Sequence, residues 1–187
     1  MENPAQLTDQ EIIDACLSGK PNAFAEIVRR YESKVATTVI GVLGRCPEAE
    51  DVGQEVFIRF YKNIRKFRGE SAVSTYLIRI AINLSLNELK RRKRQSRFIT
   101  LNDPENSNKI FSDAENSAVL ESREIVRWAI DQLAPKFRMT VVLRLLDGYS
   151  TDETAHILQV PLGTVLSRLA RAKAQLLNLL APYKEHL

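Results

Sequence analysis

The sequence predicts an all-α protein built as two small helical domains joined by a flexible linker. Three observations predict it. Apolar residues recur every three to four positions along most of the 187 residues. Seven glycines and seven prolines are few for that length, and long stretches lack both. Between residues 98 and 119 the periodicity is lost, and Asn, Ser, Asp and Glu dominate. That acidic stretch separates a first block, residues 1–97, from a second, residues 120–187.

Helices are expected near 8–18, 21–44, 47–66 and 74–95 in the first block. In the second they are expected near 120–133, 135–147, 151–158 and 162–180. Ser150 followed by Glu153 reads as a capping box. Pro161 suits the first turn of the last helix. Around 50–64, Val52, Val56, Phe57, Phe60, Tyr61 and Ile64 form a stripe expected to be buried. From Ser74 onward, Leu77, Ile80, Ala81 and Leu84 form one apolar row, and Ile78, Ile82, Leu86 and Leu89 another. On the last helix Leu162, Val165, Leu169, Ala172 and Leu176 are expected to face inward. Leu166 falls on that apolar side and is expected to pack rather than to read bases.

Composition narrows the function classes. The formal charge is +4, from 27 Lys+Arg against 23 Asp+Glu. That excess alone identifies no partner; the placement of the charges matters. Cys16 and Cys46 form no Cys/His cluster, so neither a metal site nor a cofactor is expected, and a reducing, cytoplasmic compartment fits. No apolar run approaches the roughly 18–20 residues that span a bilayer, and Met1 to Gln10 lacks the pattern of a signal peptide. There is no glycine-rich phosphate loop, no Cys/His nucleophile pair and no HExxH; His156 and His186 lie far apart. No catalytic residue and no small-molecule substrate are expected.

Three constellations stand out. The helix near 50–64 carries Asp51, Gln54, Glu55, Ile58 and Arg59 opposite its apolar stripe. Ile58 is an apolar residue among charges, as at the centre of a partner-docking face. On the helix from Ser74, Tyr76, Arg79, Asn83, Asn87, Lys90 and Arg94 fall within one sector at 100° per residue. An aromatic, amides and cations stack on bases, bond base edges and neutralise phosphates. The five cations Lys90 to Arg94 repel one another unless they are solvated or face a polyanion. Between these helices, Lys62, Arg65, Phe67 and Arg68 make a basic segment with one aromatic, which suits single-stranded nucleic acid. The third constellation is a helix-turn-helix over 151–180. Thr164, Ser167, Arg168, Arg171 and Gln175 share one face of its second helix with no acid among them, as major-groove reading requires.

Together these motifs resemble the extracytoplasmic-function (ECF) group of sigma-70 family sigma factors, from about Leu7 to Leu180. Ala23 to Tyr31 looks like the family's opening helix, and Ala49 to Arg59 is similar to its polymerase-docking motif. Ser74 to Asn83 is similar to its promoter-melting motif, and Leu162 to Lys173 to its −35-reading helix. The resemblance implies a non-enzymatic subunit of core RNA polymerase with a region 2 bundle and a region 4 helix-turn-helix. Asp51, Gln54, Glu55, Ile58 and Arg59 would meet the β′ clamp coiled coil, and the second domain the β flap. The segment from Lys62 to Ser71 would hold an extruded −10 base. Tyr76, Arg79 and Asn83 would support strand separation, and Lys90 and Arg91 would grip backbone. Ser167, Arg168 and Arg171 would read the −35 element. An anti-sigma factor is an expected partner. The sequence departs from the family pattern at Gly53, at Leu133-Ala134-Pro135, and at Leu166 and Ala170. Other classes stay open on the residues alone: a helix-turn-helix regulator that never joins polymerase, a recombinase or nuclease, and a helical scaffold.

Overall fold

The structure, a computed structural model, describes residues 7–102 and 122–186. Eight α-helices, α1 (Asp9–Leu17), α2 (Phe24–Leu43), α3 (Pro47–Lys62), α4 (Val73–Asn102), α5 (Ser122–Asp131), α6 (Pro135–Val141), α7 (Thr151–Leu158) and α8 (Leu162–Leu180), account for most of those residues. The expected linker lies outside the described residues from 103 on. Residues 98–102, assigned to it by composition, instead continue α4. Nothing in that stretch breaks a helix before Pro104, which disfavours helical backbone only in the residue preceding it.

Local signals set the helix ends. Thr8 and Glu11 close a capping box at the start of α1, and Ser150 and Glu153 close the expected one at α7. Pro47 and Pro135 occupy first-turn positions of α3 and α6. Gly44, at φ 78°, ends α2. Gln159, at φ 53° and ψ 47°, makes the left-handed turn between α7 and α8. A non-glycine residue rarely sits there.

Helices α2, α3 and α4 form a bundle crossed by α1. Ile27, Val39, Val42, Val56, Phe60, Leu77 and Ala81 are all fully buried in it. In the second half, α5 to α7 pack around α8, with Ile130, Leu133, Phe137, Val141 and Ala172 forming a separate cluster. The halves are not independent of each other. After α6 the chain widens into a π-helical turn, Val142–Leu146. Met139, Val142, Leu143, Tyr149 and Ile157 join the first bundle's apolar cluster. Alternate positions of α6 thus serve two cores: Phe137 and Val141 face α8, and Met139 faces the bundle.

Two buried-stripe expectations need correction. Tyr61 is 42% exposed, its ring in T-shaped contact with Phe24 (centroids 5.0 Å apart). Leu162 and Leu166 are exposed, not packed. The inward direction of α8 is set by Val165 and Ala172, which are fully buried, and these two leucines lie off that direction.

Candidate nucleic-acid interface and docking face

The candidate docking face is built on α3. The buried side of that helix, Val56 and Phe60, is clamped in the bundle, so Asp51, Gln54, Ile58 and Arg59 are presented outward. Ile58 is 44% exposed at the centre of the face. Arg59 Nε donates to Glu55 Oε1 at 2.8 Å, and the two charges frame Ile58. Beside this face lies an apolar groove between α2 and α3, lined by Val28, Val35, Ile40, Ala49, Gly53 and Phe57. The helix periodicity of α3 alone does not reveal the groove, because it needs both helices. Gly53, which departs from the family pattern, helps to keep it open: a Cβ there would meet nothing within 4 Å.

The aromatic and cationic candidates divide. Phe67 and Tyr76 stack edge to face at 5.4 Å, and both rings also lie against Phe60. Both are half-buried, so their rings support the loop from residue 62 to 71 more than they project from it. Lys62, Arg65 and Arg68 on that segment are exposed.

The five-cation run is not uniform. Arg91 makes two hydrogen bonds to Glu88 at 2.7 and 2.8 Å. Arg92 reaches Glu48, the Leu43 carbonyl and Cys46 Sγ, tying α4 to the α2–α3 connection. Glu88 is held below its ordinary pKa by Arg91 and Arg92. Arg91, expected to grip backbone, is therefore engaged within the protein, and Arg92 is a structural residue. Lys90, Lys93 and Arg94 are exposed and line a cleft with Asn87. Glu88 pairs with Arg91 and Arg92 at local helix spacing, whereas Glu48 comes from another helix and its pairing with Arg92 is not visible along the chain.

Asn83 is exposed, but Arg79 is half-buried and donates through Nη2 to the carbonyl of His156 on α7 at 3.3 Å. Arg168 is also half-buried. It lines a cleft shared with Asn83, Leu86, Met139 and Val160, at the junction of the halves. Arg171 and Ser167 are exposed on α8, and Ser167 Oγ donates to the Thr164 carbonyl at 3.0 Å. The helix-turn-helix is held by its capping box, by the left-handed Gln159 and by Arg144, whose guanidinium donates to the Tyr149 carbonyl. Among the described residues no helix is long and apolar enough to cross a membrane.

A helical bundle with an exposed apolar residue among charges on α3, joined to a helix-turn-helix with an acid-free outer face, defines the class of a two-domain DNA-binding protein. Comparison with known proteins narrows the class. The Sigma-70 region 2 family model matches residues 27–95, and the Sigma-70, region 4 model matches residues 123–176. The ECF RNA polymerase sigma-E factor of Escherichia coli (strain K12) is 38% identical over 185 residues, covering 95% of this chain and 96% of that protein. Its counterpart in Haemophilus influenzae is 35% identical over 193 residues, covering 95% and 97%. The fold is shared with two solved structures. One is the sigma factor RpoE in complex with the anti-sigma factor NepR from Bartonella quintana (TM-score 0.65, 21% identity, 84% of this chain and 96% of that one). The other is CnrH in complex with the cytosolic domain of CnrY (TM-score 0.67, 22% identity, 93% and 97%). This chain belongs to the ECF sigma factors of the sigma-70 family. It is accordingly a non-enzymatic subunit that binds core RNA polymerase and promoter DNA in transcription initiation. The reading as a regulator that never joins polymerase is not favoured.

Proposed function

We propose that the chain docks on polymerase through Asp51, Gln54, Glu55, Ile58 and Arg59, that residues 1–97 engage the −10 element, and that residues 120–187 read the −35 element. In the cytoplasm, the exposed Ile58 meets the β′ clamp coiled coil, and the second domain meets the β flap. Lys62, Arg65, Arg68, Asn83 and Lys90 contact the −10 DNA, with Phe67 and Tyr76 shaping the segment that holds an extruded base. Arg79 and Arg91 join them only after exchanging their present partners. Thr164, Ser167, Arg168 and Arg171 read −35.

One observation carries this reading. Asn83 and Arg168, assigned to different promoter elements, line a single cleft. The two elements lie about 25 base pairs apart, about 85 Å at roughly 3.4 Å per base pair. The closed chain therefore cannot serve both. Core polymerase separates the domains and converts two weak DNA contacts into one strong one. Melting follows from preferential capture of the flipped base, which shifts the duplex equilibrium towards the open form. An anti-sigma factor, as in the RpoE–NepR structure, would act by covering the docking face or the DNA-facing helices.

Transcription in vitro with core polymerase tests the assignments. Gln54→Ala/Ile58→Asp is expected to lose polymerase association. Arg168→Ala/Arg171→Ala is expected to assemble but to select promoters poorly. Normal transcription by both variants sinks the reading.

A further inference from the structure

The first half of α8 leaves two large apolar side chains in solvent: Leu162, 42% exposed, and Leu166, 50% exposed. They stand one turn apart on the same edge of the helix. That edge is adjacent to Ser167 and turned about 100° per residue from the buried Val165. Exposed Gly163 and Ala170 flank them, so a surface can approach closely. Arg171 and Lys173 are exposed beyond them, and α8 contains no acid. The rim therefore attracts a polyanion while the centre offers only hydrocarbon. Ser167 spends its hydroxyl hydrogen on the Thr164 carbonyl, which leaves that side chain an acceptor oxygen and no donor.

In a helix-turn-helix the N-terminal half of the second helix enters the major groove. The bases display one apolar group there, the C5-methyl of thymine. We propose that Leu166, backed by Leu162, packs on a thymine methyl in the −35 element and sets a thymine preference at that position. The inference rests on the assignment of α8 to −35 reading and adds one specificity-determining residue to it. Leu166 has no polar atom beyond its backbone, so its discrimination acts through the methyl alone.

Replacement of thymine by deoxyuridine removes that methyl and keeps every hydrogen-bonding group. The full chain is assembled with core polymerase, and a −35 sequence is selected from a randomised duplex. Each thymine of the selected site is then replaced singly by deoxyuridine. Wild type is expected to lose about fourfold in affinity at one position, the worth of one buried methyl. Leu166→Ala is expected to bind the thymine and uracil duplexes equally there, and to match wild type on the uracil duplex. Arg171→Ala is expected to weaken both duplexes alike. A promoter-specific wild-type holoenzyme that ignores every thymine-to-uracil swap overturns the proposal and leaves the −35 assignment standing. So does a Leu166→Ala variant that assembles poorly with polymerase yet keeps the wild-type thymine-to-uracil ratio, since Leu166 then meets protein. If wild-type holoenzyme selects no sequence at all, the −35 assignment fails and this inference falls with it.

Discussion

Thr38 donates its hydroxyl to a carboxylate oxygen of Asp147 at 2.7 Å, joining α2 of the first domain to the end of the π-helical turn of the second. Thr38 is fully buried and Asp147 half-buried. Burial pushes the Asp147 pKa up, against the opposing effects of the Thr38 hydrogen bond and of Lys34. Close by, Arg138 donates to the Val42 carbonyl at 2.9 Å. Val142 packs over Gly41 so tightly that a Cβ there would lie 2.9 Å from its Cγ1. These contacts hold the closed arrangement in which Asn83 and Arg168 share a cleft.

Gly41→Leu is expected to open the chain. The side chain has no room while Val142 is in place, and overpacking of this kind costs about 1–3 kcal/mol. That shifts the closed-to-open ratio by roughly 5- to 160-fold. Small-angle scattering of the free protein should show a larger radius of gyration. Binding to promoter DNA without polymerase should rise. A radius equal to that of wild type would show that the interface tolerates the side chain.

Asp147 gives the closure a pH dependence. Its pKa is raised in the closed form, so that form binds the proton more readily than an open form with a solvated carboxylate. Closure is therefore favoured as the pH falls through the interval between the ordinary value of 3.8 and the raised one. It is weakened as the pH rises through that interval. Asp147→Asn should remove this component, as read by energy transfer between labels on the two domains. Parallel titrations of wild type and variant would argue against it.

Glu26 has the opposite sign. Hydrogen bonds from Arg29 and Arg30 hold it at about 2, below its ordinary 4.5, and Arg30 continues to Asp9 at 2.9 Å. The unfolded chain binds the proton more readily, so stability from this site is present above 4.5 and is lost as the pH falls towards about 2. Thermal midpoints of wild type should approach those of Glu26→Gln across that window and exceed them at neutral pH. A constant gap between the two would exclude the linkage.

Two backbone positions are expected to tolerate improvement. Gly53→Ala places a methyl in open space within α3 and should add about 1 kcal/mol. Gln159→Gly should add about 1 kcal/mol by relieving the left-handed turn. Each should raise the thermal midpoint by several degrees, and a fall in either would refute its rationale.

The helices themselves were legible because their signals are local. The Ser150–Glu153 box, the prolines at helix starts and the three-to-four periodicity act within a few residues. The outward Ile58 was legible for the same reason: it breaks a pattern carried by its own helix. The structural role of Arg92 was not, because Glu48, which engages it, comes from another helix. Tyr61 and Leu166 were misplaced because a helical wheel gives an angle and not the width of what covers it.

By itself the sequence determined the fold class, the helix order and the outward side of α3 around Ile58, since helix periodicity and end caps are written in neighbouring residues. Only the tertiary structure decided which cations remain available, that Leu166 faces solvent, and that Val142 of one domain seats on Gly41 of the other. The Arg92–Glu48 and Gly41–Val142 contacts join residues 44 and about a hundred positions apart, and no local pattern encodes which face meets which.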